Sequence, residues 1–293
     1  MKLSIFTPTF NRAYIIEKLY RSLQLQTHFE FEWIVIDDGS TDNTEELFKG
    51  WIKDENLFPI TYLKQQNGGK HRAINRAVTL AKGELFFIVD SDDYLMPSAV
   101  ERLLHWESSI AQKQGFCGIS GLRGKTQFSM IGGTFSGDYC DAYYHERQRF
   151  NLVGDKAEAF YTSILKQFPF KEFDNETFLT EATVWLPMGS KYKIRYFNEI
   201  IYIGDYLSDG LSENNNKFIL DNPKGYAYYI QQQIIYLKYG LKSRLASYYY
   251  YSETFKSRLS RTEILKNINI NNGTLLMAEI IFKTVNKVKK IIQ

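Results

Sequence analysis

Three carboxylates at the end of an apolar run are the most informative feature of this chain. Residues 86–89 read Phe-Phe-Ile-Val and lead directly into residues 90–93, which read Asp-Ser-Asp-Asp. Four apolar residues bounded by acids are typical of a buried strand. Carboxylates this close repel one another, so they are stable mainly where a divalent cation or a hydrogen-bond donor shares their charge. The segment therefore predicts a cation site at a strand end, which suits a phosphate-bearing substrate.

Polar clusters also follow three earlier strand-like runs, at residues 7–12, 37–42 and 67–72. Strands and helices are predicted to alternate, as they do in a parallel sheet, whose ligands bind at the carboxyl ends of the strands. We therefore expect four polar loops to meet at one rim. The predicted strands cover residues 3–7, 33–36, 60–63 and 85–89, and the predicted helices between them cover residues 14–25, 45–52 and 72–81.

The second half of the chain has weaker patterns. A helix is predicted from Pro97 to about residue 114 and a strand over residues 116–120, whereas the stretch to about residue 150 has no assignment. Residues 241–293 carry ten lysine and arginine residues against three glutamates. Apolar residues and lysines are interspersed over residues 275–292, which fits either a helix on an anionic membrane surface or a helix packed on the domain with a solvated basic face.

Composition sets broad limits on the class of protein. The chain has 293 residues, 44% of them hydrophobic, which is enough for a large core. Cys117 and Cys140 have no pairing motif, so we expect ordinary small side chains in a reducing cytoplasm. The first residues run straight into a strand without a signal-like segment, and no stretch of about twenty apolar residues could span a bilayer. Positive charge confined to the tail argues against nucleic-acid binding.

Four segments resemble, in order and spacing, the inverting glycosyltransferases of family 2, which have the GT-A fold. The segments are IFTPTFNR, VIDDGSTDNT, NGGKHRAINRA and IVDSDD, all within about the first hundred residues. The resemblance implies an α/β fold with a Rossmann-like, mostly parallel central sheet flanked by helices and a helical C-terminal extension. We expect a GT-A domain over residues 1–213 and the extension over residues 214–293. Within the domain, residues 1–115 would bind the nucleotide sugar and residues 116–213 would form the acceptor side.

The resemblance also implies a nucleotide-diphospho-sugar donor, a divalent cation (Mn²⁺ or Mg²⁺) and direct transfer with inversion at the anomeric carbon. In the first loop Pro8 would fix a bend, Thr7 and the backbone around Thr9 would contact the nucleotide, and Arg12 would contact its phosphate region. Asp38 in the second loop would accept hydrogen bonds from the base or ribose. These loops also have the composition of turns and helix caps.

The third loop would approach the donor closely. Gly69 permits such an approach, and Lys70 or Arg72 can balance phosphate charge. Asn75 on the following helix would touch the nucleotide. His71 suits an ordinary loop role better than a chemical one.

In the fourth loop the resemblance identifies Asp90-Ser91-Asp92 as the D-x-D motif. Asp90 would hold the ribose or the hydrated metal, Ser91 would belong to the same donor-binding loop, and Asp92 would ligate the cation that bridges the two phosphates. The role of Asp93 stays open between metal ligand and helix cap. A bound cation would neutralise the negative charge that develops on the departing nucleoside diphosphate.

Inversion requires a base that removes the proton of the acceptor hydroxyl. The candidate is Glu181, the one acid within the apolar segment 178–185, where the family places its catalytic acidic residue before a helix. Glu176 and Asp174 are the alternatives, and an exposed helix acid without a catalytic role is a further one. Residues 154–158 and 209–212 resemble acceptor-side elements, although Asp155 and Ser212 are also good helix caps.

The predicted activity is transfer of a sugar to a glycan, a lipid-linked acceptor or another hydroxyl acceptor in surface polysaccharide synthesis. The expected donor is a UDP-sugar, which is the common donor in the family that the motifs resemble. We expect a cytoplasmic protein, with peripheral contact of the basic C-terminal helix to the inner face of the plasma membrane as an option. The principal alternative is a catalytically silent sugar-nucleotide-binding subunit. A glycoside hydrolase would need no cation or phosphate-binding loop.

Overall fold

The computed structural model describes the backbone of residues 1–204 and 215–292, and the side chains of residues 1–204 and 217–283. Its described strands form one ten-stranded sheet. In chain order they are β1 (Leu3–Thr9), β2 (Phe31–Asp37), β3 (Ile60–Lys64), β4 (Leu85–Ile88), β5 (Tyr94–Leu95), β6 (Phe116–Thr126), β7 (Ser129–Met130), β8 (Tyr139–Tyr143), β9 (Lys156–Tyr161) and β10 (Lys193–Ile203).

Helices cover both faces of the sheet and make up the C-terminal part of the described chain. They are α1 (Glu17–Gln24), α2 (Thr44–Trp51), α3 (Lys70–Leu80), α4 (Ala99–Ser108), α5 (Thr162–Leu165), α6 (Ala182–Lys191), α7 (Asn215–Asp221), α8 (Pro223–Tyr236), α9 (Leu241–Phe255), α10 (Arg261–Ile268) and α11 (Asn272–Ile292).

The sheet order is β3-β2-β1-β4-β9-β6-β10-β5, with β7 paired to β6 and β8 paired to β10. Strands β1 to β4 are parallel, which places their carboxyl ends at one edge. Strand β9 runs antiparallel to β4 and β6, so its first residues lie at that same edge. The predicted fold class, a mostly parallel GT-A-type sheet flanked by helices, is confirmed.

Both faces of the sheet are buried, which explains why its strands are almost continuously apolar. Alternate residues of each strand point to opposite faces. Ile5, Trp33 and Phe87 pack on the face that also contacts α1, α2 and α4. Phe6 and Phe86 pack on the other face with residues of α3 and α6.

The first four strands and three helices occur where the sequence predicts them, with bounds that shift by a few residues. Two differences matter for the site. Helix α3 begins at Lys70 rather than at Arg72, so Lys70 lies in its first turn. The sequence predicts neither β9 nor β10, although β9 is central to the sheet and carries Glu158 to the rim.

The C-terminal helices are attached through α8, which packs against α6. The Glu176 carboxylate accepts hydrogen bonds from the backbone N–H groups of Lys224 and Gly225, at 2.8 and 2.7 Å, in the first turn of α8. These donors have no partner within the helix, so Glu176 stabilises the start of α8. The predicted domain boundary at residues 213–214 lies outside the described residues.

Helix α11 packs one apolar stripe on α9. Leu275, Ala278 and Phe282 are buried there, and the last two lie beside Leu245 and Tyr249. Within residues 272–283 the helix is therefore packed on the molecule, as one of the two sequence interpretations predicts. None of the helices in the described part of the chain is long and apolar enough to cross a membrane.

Candidate active site

Hydrogen bonds join the first two polar loops at the carboxyl edge of the sheet. The backbone N–H of Asn11 donates to Ser40 Oγ at 2.8 Å, and Asn11 Oδ1 accepts from the backbone N–H of Thr41 at 2.8 Å. Asp42 Oδ2 accepts from the backbone N–H of Ala13 at 2.9 Å. These hydrogen bonds run from one loop to the other, so the first and second loops form one continuous surface.

The predicted nucleotide-binding residues of the first loop differ in burial and in hydrogen-bond partners. Thr7 is fully buried, and its hydroxyl accepts a hydrogen bond from Trp33 Nε1 at 3.0 Å. Pro8 is half-buried within β1. The carbonyl of Thr9 accepts from the backbone N–H of Asp38 at 2.8 Å, and its hydroxyl is a buried polar atom without a partner among the described residues. Nucleotide contact by this loop stays a prediction.

Asp38 connects the second loop to the third. Its carboxylate accepts hydrogen bonds from Gln65 Nε2 at 2.8 Å and from the backbone N–H groups of Gly68 and Gly69 at 2.9 and 2.7 Å. Three donors on one buried carboxylate fix the backbone of the third loop. The predicted contact of Asp38 with base or ribose stays a prediction, and Asp38 also positions the loop that carries Lys70.

Gly69 is required by the backbone. Its φ is +93°, and a Cβ built there would lie 1.7 Å from the carbonyl oxygen of Thr177. Side chains are not tolerated in this conformation at this distance. The close approach predicted from the glycine therefore brings the loop against residue 177 of the same chain.

Arg72 and Asn75 bind the segment that precedes Glu181. Arg72 donates to Glu172 Oε2 at 3.1 Å and, at 2.7 Å in each case, to the carbonyls of Gly68, Glu176 and Phe173. Asn75 Nδ2 donates to the Phe170 carbonyl at 2.9 Å and to Glu172 Oε1 at 3.0 Å. Both side chains thus link α3 to residues 170–176, in the part of the chain predicted to form the acceptor side. Contact of Arg72 and Asn75 with the nucleotide stays a prediction. It would require them to give up some of these hydrogen bonds for bonds to the nucleotide.

His71 is buried in α3. Burial, and to a lesser extent the neighbouring charge of Arg72, lower the pKa of His71 to about 4. Its Nδ1 atom has no hydrogen-bond partner among the described residues. The ring is therefore a neutral packed side chain at neutral pH, which agrees with an ordinary structural role.

Lys70 lies between the predicted metal motif and the predicted base. Its Nζ atom is 2.6 Å from Asp90 Oδ1 and 2.8 Å from Glu181 Oε1. The three side chains keep between 22% and 35% of their exposure, so a ligand can reach them. Burial opposes charge on both Lys70 and Asp90, but their attraction outweighs it, so the pKa of Lys70 is raised and that of Asp90 is lowered.

Asp92 has a different environment from Asp90. The pKa of Asp92 is raised by burial and by the negative charge of Asp90, while Arg12 and Lys70 act in the opposite direction. Arg12 donates to the Tyr14 hydroxyl at 3.0 Å. Within the described part of the chain the Asp92 side chain has no ion-pair partner within 4 Å. Ser91 between the two acids is buried.

The donor set fits a hard divalent cation. Asp90 and Asp92 supply carboxylate oxygens, which Mg²⁺ and Mn²⁺ prefer as ligands. Asp90 already contacts one positive group, the Lys70 ammonium. The described residues contain no cluster of three or more acidic, histidine or cysteine side chains able to hold a metal ion alone. One or two carboxylates, completed by water and substrate phosphates, form the usual Mg²⁺ site of phosphate-binding enzymes. The residues thus fit a cation held jointly with the phosphates of a donor.

Asp93 belongs to a buried cluster behind residues 90–93, the predicted metal loop. Its Oδ2 atom is 2.7 Å from Arg123 Nη2 and accepts from the Tyr202 hydroxyl at 2.5 Å. Tyr202 in turn accepts from the backbone N–H of Asp90 at 3.0 Å. Burial raises the pKa of Asp93 to about 7, although Arg123 opposes the shift. Asp93 is not a helix cap, because α4 begins at Ala99.

Sequence reasoning missed Arg123 and Tyr202. They lie on β6 and β10, and neither strand has a motif near these residues that would indicate a functional role. Only the three-dimensional pairing of these strands with the metal loop brings both side chains to Asp93. Arg123 also lies over the Tyr202 ring, 4.2 Å from its centroid, which fixes the orientation of both groups.

A second acidic side chain at the rim, Glu158 on β9, belongs to the predicted acceptor side. It lies 3.6 Å from Arg147 Nη1, and burial raises the pKa of Glu158 to about 7, with Asp155 and Glu181 acting in the same direction as burial. The predicted acceptor-side segment 154–158 therefore leads into a strand, and the helix-cap alternative for Asp155 is wrong. The other predicted segment, Asp209 to Ser212, lies outside the described residues.

The alternatives to Glu181 have other positions. Glu176 is buried and bonds the start of α8, whereas Asp174 is exposed. Glu181 is the residue immediately before α6, on the rim and in contact with Lys70. Of the three acids, Glu181 therefore has the position that a base near the metal motif requires, and its catalytic role stays a prediction.

The sheet order and the acidic motif at the end of β4 define a GT-A glycosyltransferase fold, and comparisons with known proteins agree. Residues 4–109 match the sequence model of the glycosyl transferase family 2. The matched residues contain all four polar loops. Over these residues the match agrees with the family that the sequence motifs resemble.

One relative is named as a glucosyltransferase. The chain is 28% identical over 199 residues to the GalNAc(5)-diNAcBac-PP-undecaprenol beta-1,3-glucosyltransferase of Campylobacter jejuni, a match that covers 67% of this chain and 61% of the relative. The chain thus spans less than two thirds of that protein's length.

Two solved structures share the fold. S. aureus TarS 1-349 in complex with UDP-GlcNAc superposes with a TM-score of 0.62 at 19% identity, covering 95% of this chain and 79% of that one. The mannosyltransferase PcManGT from Pyrobaculum calidifontis, in complex with GDP-Man and Mn²⁺, gives a TM-score of 0.55 at 17% identity, covering 98% and 80% of the two chains. At these identities the structures establish the fold alone.

Proposed function

We propose that this protein transfers a sugar, with inversion, from a nucleotide-diphospho-sugar to a hydroxyl group of an acceptor. The observation that carries the proposal is the contact of Lys70 with both Asp90 and Glu181. It brings the D-x-D motif and the candidate base to one point of the rim, although they are far apart in sequence. An inverting transferase needs the leaving group and the base on opposite sides of one sugar ring.

Each polar group then has a chemical task. Asp90 and Asp92 would hold the cation together with the donor diphosphate, and the cation, when bound, would stabilise the negative charge of the leaving group. The Glu181 carboxylate would accept the proton of the acceptor hydroxyl as that oxygen attacks the anomeric carbon. Asp38 and Gly69 would hold the third loop against the nucleotide. Ser91 and the first loop would form the remaining donor contacts.

A UDP-sugar is the proposed donor. The support is the TarS complex, in which the ligand is UDP-GlcNAc, together with the fold that the two proteins share. Mn²⁺ or Mg²⁺ is the proposed cation, since PcManGT forms a complex with GDP-Man and Mn²⁺ and the donor set here consists of carboxylates.

A lipid-linked glycan is the proposed acceptor, in surface polysaccharide synthesis. Its support is the name of the Campylobacter relative, which specifies an undecaprenol-linked substrate. Such an acceptor would be met at a membrane surface, and α11 offers one means of contact. Leu276 and Met277 are exposed on its outer side, and lysines follow at residues 283, 287, 289 and 290. Apolar and basic residues on one helix favour an anionic bilayer surface.

The direct test is release of nucleoside diphosphate from a panel of UDP-, GDP- and TDP-sugars, and of nucleoside monophosphate from a CMP-sugar, with and without Mn²⁺. We expect slow, Mn²⁺-dependent hydrolysis of one UDP-sugar. Release without Mn²⁺ would contradict the cation site. No release from any donor, with tight binding of free UDP, would favour the silent binding subunit instead.

A further inference from the structure

The Lys70 ammonium lies where a bound cation would add further positive charge. Its ammonium contacts Asp90 at 2.6 Å, and Asp90 is one of the two proposed cation ligands. A divalent cation on the same carboxylate would place two positive groups within a few ångströms of each other. A divalent cation and an ammonium 4 Å apart repel by about 2 kcal/mol even in bulk water, and by more where water is partly excluded.

The position of Lys70 is built into the backbone. The preceding residue, Gly69, is held by the Asp38 carboxylate at 2.7 Å and fits tightly against Thr177. Lys70 then begins α3, so its side chain starts from a fixed point. Glu181 precedes α6 and is likewise fixed by the start of a helix. The ammonium therefore links two independently positioned carboxylates.

From this arrangement we infer that Lys70 is a displaceable counter-ion that makes cation binding depend on the donor. Without a donor, the ammonium holds Asp90 and disfavours a free cation. With a donor, the diphosphate supplies negative charge for the cation and the ammonium together, and Lys70 can leave Asp90 while it keeps Glu181 in position. Lys70 is thus a positioning residue for the base as well as a barrier against unproductive cation binding. This inference rests on the proposed function.

The experiment is a titration of the free protein with Mn²⁺, followed by electron paramagnetic resonance of the unbound ion, with and without UDP. Lys70→Met should bind Mn²⁺ roughly tenfold more tightly than wild type when UDP is absent, because one positive charge has been removed beside the carboxylates. Lys70→Arg, which keeps the charge, should resemble wild type.

A matched control is Lys49→Met. Lys49 also contacts two carboxylates, Glu45 at 3.0 Å and Glu46 at 2.8 Å, but on the outer surface of α2. Its substitution should leave Mn²⁺ affinity unchanged. Equal or weaker Mn²⁺ binding by Lys70→Met than by wild type would overturn the inference while leaving the proposed function intact. Failure of wild type to bind Mn²⁺ even with UDP would instead overturn the cation site, and the inference with it.

Discussion

At the scale of single residues, Glu181 depends on a partner that its own neighbourhood in the sequence does not supply. The apolar segment around it marks the acid as unusual, but its place on the rim is established by the 2.8 Å contact with Lys70. The same holds for Asp93, whose partners Arg123 and Tyr202 come from distant strands. A motif can therefore identify the acids of this site, whereas their partners become known only from the fold.

Replacing Glu181 by glutamine should leave donor binding close to wild type and reduce turnover by about 100-fold or more, since a lost general base typically costs 10²–10⁴-fold. Turnover and the dissociation constant for UDP would be measured on the same preparation. Asp174→Asn is the control, because Asp174 is an exposed acid in the same region. Near-native turnover of Glu181→Gln, or an equal loss in the control, would place the base elsewhere.

Glu158 should make stability depend on pH. Its ordinary pKa is 4.5 and its pKa in the folded protein is about 7. Between these values the folded state keeps a proton that the unfolded state has lost, so the stabilisation is complete below pH 4.5 and is lost as pH rises through 7. Glu158→Gln should therefore gain stability relative to wild type over this range, by up to about 1.4 kcal/mol per pKa unit. Urea unfolding at several pH values measures the difference, and a pH-independent difference would refute the account.

At the scale of elements, the third loop is the part that sets the site geometry. Gly69→Ala forces a Cβ against the Thr177 carbonyl at a φ of +93°, so we expect a loss of about 1–3 kcal/mol or more in the free energy of unfolding. Gly50→Ala is the control of opposite sign. Nothing lies within 4 Å of a Cβ at Gly50 in α2, and alanine there should stabilise by roughly 0.5–1 kcal/mol. Urea unfolding midpoints measure both changes in stability. An unchanged midpoint for Gly69→Ala would contradict the description of the third loop.

The elements also show what sequence can and cannot predict. The parallel half of the sheet is predictable because each buried strand is a short apolar run followed by turn residues, and the four loops have to converge once those strands are parallel. Strand β9 reads Lys-Ala-Glu-Ala-Phe-Tyr; it lacks β-branched residues, and four of its six residues are of types depleted in strands, so its strand signal is weak. Strand β10 pairs with β6 through several register shifts, and charged residues interrupt its alternation. For that reason the sequence gives little indication of the strands on the predicted acceptor side.

The side-chain contacts within the site are equally out of reach of the sequence. Arg72 and Asn75 can be predicted to lie at the rim, because they follow the glycine-containing loop on α3. Their partners in residues 170–176, however, come from a segment without regular secondary structure, whose path depends on the packing of the whole domain. Long-range contacts of this kind leave no local pattern in the chain.

At the scale of the whole molecule, the C-terminal helices form a packed layer with a charged and apolar outer side. Leu276→Ser combined with Met277→Ser should reduce binding to anionic liposomes several-fold, since each lost apolar side chain removes about 1.5–3 kcal/mol of burial in the most favourable case. These side chains are exposed, so the fold should persist, unlike in a deletion that removes the buried Leu275 and Phe282. Cosedimentation with vesicles would measure the effect.

Leu57→Ser is the control for the liposome experiment, because Leu57 is an exposed leucine remote from α11 in the sequence. It should bind vesicles as wild type does. If the α11 variant and the Leu57 variant bind equally well, the outer side of α11 is not a membrane contact, and the packed interpretation of the helix is sufficient.

The most direct test of the account compares wild type with Asp92→Ala for Mn²⁺-dependent release of UDP from the donor identified in the panel. We predict that release falls to the background level while the unfolding midpoint is no lower than that of wild type. Asp92 has no side-chain partner among the described residues to lose, and its charge is disfavoured by burial and by Asp90. Asp138→Ala, an exposed acid on the surface, should retain full activity. Substantial Mn²⁺-dependent release by Asp92→Ala would contradict the assignment of the cation site and, with it, the proposed chemistry.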